Sequence, residues 1–441
     1  MKTWAFLIAA VLLPCAARAS TPPPEDTYYL YPASTTTVQT LDNGLTVILT
    51  EDAAQTMGHV LLWVRAGSAD AKSGQGDVAR LTGLTLAQPV DPGEPSFADQ
   101  ARLFIADSGS WTGPTQSAYY AQLLPSSLPL FISIDSRRFQ RIRFDPKTLD
   151  ALKAGLAAAL SKEAESSPES ALAEALAETA AADSAPRGVT PDSAPGAASI
   201  TAQDCADFYA AYYRPDNCAL ILDGPWSRED ALKWVQNDFG TWLDSVPETG
   251  DERPPVFKPG LAAPVATTTA ADLMLVELRL TEPGPRPGSA EDLLLNILFQ
   301  ARDSGLARAR LLGPDGPAHA LSFLPRDGDP GLAKILLSLA PGADPAKTLA
   351  SFTDLAQDVA DLSPAVFEDY RRAWLVQRRD ELLDPRILNQ NLGQAWSMDD
   401  LDRLDSGMQG QALPDLDEVA TLARKLLVDS NLAGISCTVA P

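Results

Sequence analysis

Side chains able to make or break bonds are scarce in this chain. Among its 441 residues there are two histidines, His59 and His319, and four cysteines, Cys15, Cys205, Cys218 and Cys437. A catalytic zinc needs three protein ligands, and two of them four residues apart on a helix work because those positions share a face. His59 and His319 are far apart in sequence, so no pair of histidines at metal spacing exists. Neither lies in a nucleophile motif, and the chain has no Gly-x-Ser-x-Gly elbow. Cys205 should open a helix and Cys218 the strand after it, too far apart to bridge, so both read as buried free thiols. No catalytic residue, metal ligand or cofactor is expected.

One strand-turn-helix unit in the first hundred residues is clearly legible. His59 to Arg65 (HVLLWVR) reads as a strand, followed by a Gly67-Ser68 turn, a short loop and a helix over Gly76 to Ala87. At i, i+3 and i+4 on that helix stand Arg80, Gly83 and Leu84. Arg80 is a fixed cation that would repel a metal, and Leu84 has no donor atom. Gly83 lacks a carboxylate to act as general base on a bound water.

Upstream, TVQT-LDNG-LTVILTED reads as two alternating strands in a hairpin about Asn43-Gly44. Asp145-Pro146 and Ser167-Pro168 cap two helices, and a Pro/Gly loop spans Asp183 to Ser199. Thr201-Ala-Gln-Asp204 starts the helix DCADFYAAYY, then come RPDN and a strand from Cys218 to Leu222. Ser227 caps one more helix, with Ala231, Leu232, Val235 and Phe239 on its apolar face. Asp244 to Gly260 is charged and Pro-rich, a natural linker. After it, a strand (Ala271 to Leu280) and a helix opening at Gly288-Ser-Ala-Glu-Asp292 repeat the earlier order. LPDLDEVATLARKLLVDSNLAGISCTV then overlays ITAQDCADFYAAYYRPDNCALILDG with Asn431 on Asn217. Val419, Leu422, Leu426 and Leu427 fall on Cys205, Phe208, Tyr212 and Tyr213, which indicates duplication.

The Leu41 to Leu45 hairpin, the strand before Ala66-Gly67-Ser68, the motif helix, the FYAAYYRPDN unit and the duplication stand in the order of the pitrilysin/insulinase family of metallopeptidases, which the chain resembles over most of residues 35 to 441. Mitochondrial-processing-peptidase-like bacterial proteins are the similar members. In that family the helix carries an inverted zinc motif, His-x-x-Glu-His, at the places held here by Arg80, Gly83 and Leu84. The third ligand, a glutamate, would fall near Ala159 or Leu160; Glu163 is the nearest acid and is out of register. The resemblance implies an α+β fold of two homologous halves, each an antiparallel-dominated sheet covered by helices, as in half of a clamshell. Residues Gly109 to Leu124 resemble the edge strand that pairs with extended peptides, which makes Gly109, Ser110 and Thr112 candidate peptide contacts. Arg310 and His319 resemble an arginine and a tyrosine that the second half brings to the substrate, although their spacing is two residues too long. Family assemblies often combine a zinc-bearing chain with one lacking the ligands.

Residues 1–19 read as a secretory signal: a basic start, an apolar run too short to span a bilayer, and a small-x-small site ending at Ala19. A second reading makes Cys15 a lipid-anchored residue. The expected organisation is then a Pro-rich lead over 20–34, a first half over 35–243, a linker over 244–260 and a second half over 261–441. Formal net charge is −23, and loss of Lys2 and Arg18 with the leader would make it more negative still. Such a surface argues against nucleic acid and anionic membranes; it serves solubility first and would favour cationic peptides. No later stretch is apolar enough for an integral membrane segment. The function expected is that of a non-catalytic subunit of an exported, periplasmic or secreted, peptidase complex. Its partner would be a zinc-bearing insulinase-like chain and its ligands peptides in extended conformation. The alternatives are a stand-alone peptide-binding or scaffold protein and, more remotely, an active hydrolase.

Overall fold

The computed structural model describes residues 27–28, 36–72, 75–91, 93–113, 115–166, 194–243, 259–261, 265–267, 272–281, 289–300, 305–312, 316–324, 332–397 and 411–439. The leader, the Ser167-Pro168 cap and linker residues 244–258 lie outside them.

The first sheet is built from β1 (Thr36–Thr40), β2 (Thr46–Glu51), β3 (Gly58–Val64), β4 (Ile105–Thr112), β5 (Ser117–Leu123) and β6 (Cys218–Gly224), in the order β1-β2-β6-β3-β5-β4. The second holds β7 (Leu273–Arg279), β8 (Ala318–Leu324), β9 (Leu332–Leu339) and β10 (Leu432–Val439), in the order β8-β9-β7-β10. Short strands at Gly260–Leu261 and Val265–Thr267 complete it beside β10. Ladders are antiparallel except that β2 runs parallel to β6 and the two short strands run parallel to β10. The described helices used below are α1 (Asp77–Leu86), α2 (Leu128–Gln140), α3 (Pro146–Ser166), α4 (Ala202–Tyr212), α5 (Arg228–Asp238), α6 (Ala290–Leu295), α7 (Leu306–Leu311), α8 (Pro345–Ala360), α9 (Pro364–Leu383), α10 (Pro385–Ser397) and α11 (Leu416–Leu426).

The two sheets are repeats of one plan. In each, a central strand (β3 or β7) leads through a helix (α1 or α6) to an outermost strand (β4 or β8), which folds back onto the strand between them. Both outermost strands carry a register break, Ile105/Asp107 in β4 and Ala318/Ala320 in β8. Each half closes with a helix, a one-turn 3-10 segment and a strand. Asn217 Nδ2 donates to Tyr212 O at 2.9 Å, and Asn431 Nδ2 donates to Leu426 O at 3.1 Å, five residues back in both cases. The same amide ties off the C-terminus of α4 and of α11, where carbonyls would otherwise be orphaned. Thr201 and Asp204 form the expected capping box at the start of α4.

Several local expectations need correcting. β2 does not alternate; five of its six residues are buried, because β1 and β6 flank it and both of its faces are covered. The Asn43-Gly44 turn is closed by Gly44 N donating to Leu41 O, with Gly44 at φ +93°, a left-handed bulge position. Gly109 to Leu124 is not one edge strand. It breaks after Thr112, where Gly113 N donates to Gln116 O, and β5 lies inside the sheet. The Pro/Gly loop ends in a short helix, Ala194–Ser199, and Gly260 begins a strand rather than ending a linker.

One face of the first sheet packs against α1 to α5 through Val60, Leu62, Tyr119, Leu220 and Leu222. The opposite face, with Ile48, Leu61, Trp63, Ala118, Ala219 and Ile221, joins the core of the second half. Helix α10 lies on that face, against β3 and β6. Gly393 of α10 sits over Trp63, and a Cβ there would lie 2.5 Å from Trp63 Cε3. Arg65 pins the end of this helix, its guanidinium 3.8 Å from the Trp396 ring centroid and donating to Trp396 O.

Candidate functional site

Helix α1 leans on α4 and α3 and reaches β4 with its C-terminal turn. Arg80 and Leu84 are half-buried on one face, while Gly83 is buried. A Cβ at Gly83 would stand 3.0 Å from Tyr119 Oη and 3.8 Å from Thr112 Oγ1. Tyr119 cannot easily yield: its hydroxyl shares a 2.6 Å hydrogen bond with that of Tyr213, and its ring meets Phe139 edge-on at 5.2 Å. Burial pushes the Tyr119 hydroxyl well above its usual range and that of Tyr213 up to about 12, so both stay neutral. Behind α1, burial raises the Cys205 thiol to about 11, against a hydrogen bond with Thr82; Cys205 and Cys218 are free and buried.

This donor set does not fit zinc. Arg80, Gly83 and Leu84 present no neutral nitrogen, thiolate or carboxylate, and the space at Gly83 is closed by a tyrosine pair. Ala159 on α3 is an exposed alanine; the side chains of Leu160 and Glu163 lie outside the described residues. Among the described residues no three His, Cys, Asp or Glu side chains gather to hold a metal ion.

The candidate peptide contacts divide between two places. Gly109, Ser110 and Thr112 stand on β4, which among the described residues pairs with β5 alone and is the outermost strand. Alternation along β4 puts Ser110 and Thr112 on the α1 face, opposite Tyr119 and Ser117, and puts Gly109 and Trp111 on the α10 face. Gly109 has no side chain because the Tyr120 ring occupies that space, with Tyr120 Cε1 2.7 Å from an ideal Cβ. Arg310 and His319 are on different elements. Arg310, on α7, spends its guanidinium on Asp358 of α8, at 2.6 Å through both Nε and Nη2, and on Asp354 at 3.2 Å. His319 is exposed at the register break of β8.

Sequence reasoning missed a cavity of about 350 Å³ on the α10 face of the first sheet. Its walls come from β3, β4, β5, the α9–α10 junction and the first two turns of α10, and include His59, Asp107, Trp111, Tyr120, Asp384 and Asn389. Burial lowers the pKa of His59, with Asp384 opposing and Arg386 reinforcing that shift, so its imidazole is neutral at pH 7. The available signal was aromatic: Trp63, Trp111 and Tyr120, one on each of three adjacent strands, face the same way.

Comparison with known proteins follows the same lines. Residues 199–373 match the family model described as the peptidase M16 inactive domain. No curated protein matches the chain in sequence. Among solved structures, the peptidase M16 inactive domain from Pseudomonas fluorescens superposes with a TM-score of 0.74 at 18% identity, over 92% of this chain and 98% of that one. A protease from Helicobacter pylori gives 0.73 at 13% identity, over 91% and 99%. The periplasmic protease PqqL from Escherichia coli gives 0.68 at 15% identity, with 94% of this chain covering 48% of that protein.

Proposed function

We propose, from the premise that this chain is a non-catalytic relative of the M16 (pitrilysin/insulinase-type) peptidases carrying their inactive domain over residues 199–373 on a full M16-like fold, that it serves as the non-catalytic subunit of an exported peptidase complex. Its partner is a zinc-bearing chain of the same fold, and its own task is to shape the chamber and hold extended peptide. The observation that carries this reading is the juxtaposition of β4 and α1. The outer edge of β4 has no strand partner among the described residues, so its backbone groups can template an added strand. Beside that edge, the helix that would hold zinc is packed against α3 and α4 but carries none of the ligands. On this reading the chain keeps an edge for extended peptide and does without the means of cleavage.

Residues 1–19 would direct the chain out of the cytoplasm. That assignment rests on the composition of the leader, and the periplasmic description of PqqL is consistent with it. No described helix is long and apolar enough to cross a membrane. The net charge of −23 would draw basic peptides towards the chamber, an attraction that salt screens. The test is co-purification from the native host, followed by peptide cleavage by the co-eluting chain with and without this protein at low and high salt. Faster cleavage in the complex, with the gain shrinking in salt, is the expected result. A peptidase equally active alone that never co-elutes would leave a stand-alone peptide-binding protein as the better account.

A further inference from the structure

The cavity beneath α10 sets a few polar side chains into a wall of aromatic and aliphatic ones. Asn389, 2% exposed, stands in its wall, and its Oδ1 is buried without a hydrogen-bond partner. A buried acceptor left unpaired carries a desolvation cost that a donor from a ligand would relieve. At the mouth, Asp384 holds Arg386 in a two-pronged pair at 2.7 and 3.1 Å, which leaves that guanidinium committed. Asp107, exposed on β4, lies within electrostatic reach of the same arginine. Two carboxylates thus face one guanidinium. With His59 neutral, the cavity carries a net negative charge. Trp111 and Tyr120 line it with their ring centroids 6.3 Å apart, and such rings attract cations placed over their faces. The volume is at the lower end for small-molecule sites, enough for one side chain and its flanking amides.

We infer that this cavity binds a guanidinium or alkylammonium group, seated against the aromatic wall of Trp111 and Tyr120 and donating to Asn389 Oδ1 and Asp107. The source of the cation is either a free small molecule or a lysine or arginine side chain. β4 suggests how a side chain would arrive. A strand added to its outer edge would direct alternate residues to the α1 face and to the cavity face. The cavity chemistry stands without that delivery route; only the peptide arm below rests on the strand-addition reading.

The test is calorimetric titration of the full chain with N-acetylarginine amide, N-acetylcitrulline amide and N-acetylglutamine amide at pH 7.5. The citrulline compound keeps the shape of arginine and removes its charge. The arginine amide should bind at least about tenfold more tightly than either neutral amide, a ratio expected of a charge-assisted contact. Asp107→Asn, an exposed change that spares the fold, should remove most of that preference. Asn389→Leu should weaken arginine binding as well, with thermal unfolding recorded to verify that this variant folds. Affinity should fall as the solution is acidified through the lowered pKa of His59, because a second cation then enters the cavity. His59→Gln should abolish that fall. Equal binding of the arginine and citrulline amides, or an arginine affinity unmoved by Asp107→Asn, would overturn the inference. In a separate arm, a six-residue peptide of β-forming residues around a central arginine is compared with the free amide. Tighter binding of the peptide assigns the cation to an added strand. Equal affinity assigns the site to free small cations and counts against strand addition, leaving the cavity's chemistry intact.

Discussion

Asp223 closes the buried central strand β6 and is 1% exposed, yet its carboxylate has a single neutral partner, Gln55 Nε2 at 2.7 Å. Burial raises its pKa from 3.8 to about 7, the Gln55 hydrogen bond opposing and Asp52 adding to the rise. The folded chain therefore keeps a proton on Asp223 at pH values where the unfolded chain has released it. A raised carboxylate pKa makes the folded state the better proton binder, so stability from this group is full below about pH 4. It declines as pH rises and is lost by about pH 7. At roughly 1.4 kcal/mol per unit, the full span amounts to about 4 kcal/mol, an upper bound because local relaxation and water entry reduce it. The sequence pI near 4.4 makes the lowest pH values impractical. Between pH 5.5 and 8 the expected loss attributable to Asp223 is about 2 kcal/mol. Asp223→Asn keeps the shape and a hydrogen bond to Gln55 and cannot ionise. Urea unfolding of both proteins across that interval, taken as a difference at each pH, cancels the other titrating groups. The variant should gain on the natural chain steadily up to about pH 7 and then hold level. A difference that stays flat, or shrinks with rising pH, would refute the assignment of a buried, protonated Asp223.

Three further outcomes follow from named contacts. Asn217→Ala and Asn431→Ala should each cost about 1 to 2 kcal/mol in chemical unfolding, since each strips helix-end carbonyls of a partner; unequal costs by several-fold would count against equivalent turns. Arg65→Ala should destabilise the packing of α10 on the first sheet by about 2 kcal/mol, and Arg65→Lys should recover little because the flat stack on Trp396 needs a guanidinium. The triple change Arg80→His, Gly83→Glu and Leu84→His should give no peptide turnover. A third ligand is absent near Ala159, and a glutamate at 83 must enter space held by the Tyr119–Tyr213 pair; efficient turnover would show the downstream register to be wrong.

What was legible in the sequence was local. The β3 strand, the α1 helix with Gly76 and Ala87 at its ends, and the Thr201–Asp204 capping box are each specified by residues within a few positions of one another. The duplication was legible because Asn217 and Asn431 do the same job at the same offset. Long-range pairings left weaker traces. Nothing near Trp63 announces that a helix more than three hundred residues later will cover it, although a glycine at 393 inside an otherwise ordinary helix was a sign of close approach. The Gly109 to Leu124 range merged two strands because the turn at Gly113 interrupts a pattern of small and aromatic residues that continues on either side. Arg310 was read by its place in a motif, but two aspartates one turn apart on α8 hold it, and that pairing is visible only once the helices are packed.

The central proposal is that an M16-like fold is kept here without the ligands for a catalytic zinc, and zinc stoichiometry tests it most directly. The chain should be purified without chelators from cells grown with zinc, then assayed by elemental analysis alongside cleavage of an unstructured peptide. The account predicts zinc far below one ion per chain and no cleavage above background. About one tightly held zinc per chain, lost together with peptide cleavage on chelation and restored with it on adding the metal back, would contradict it.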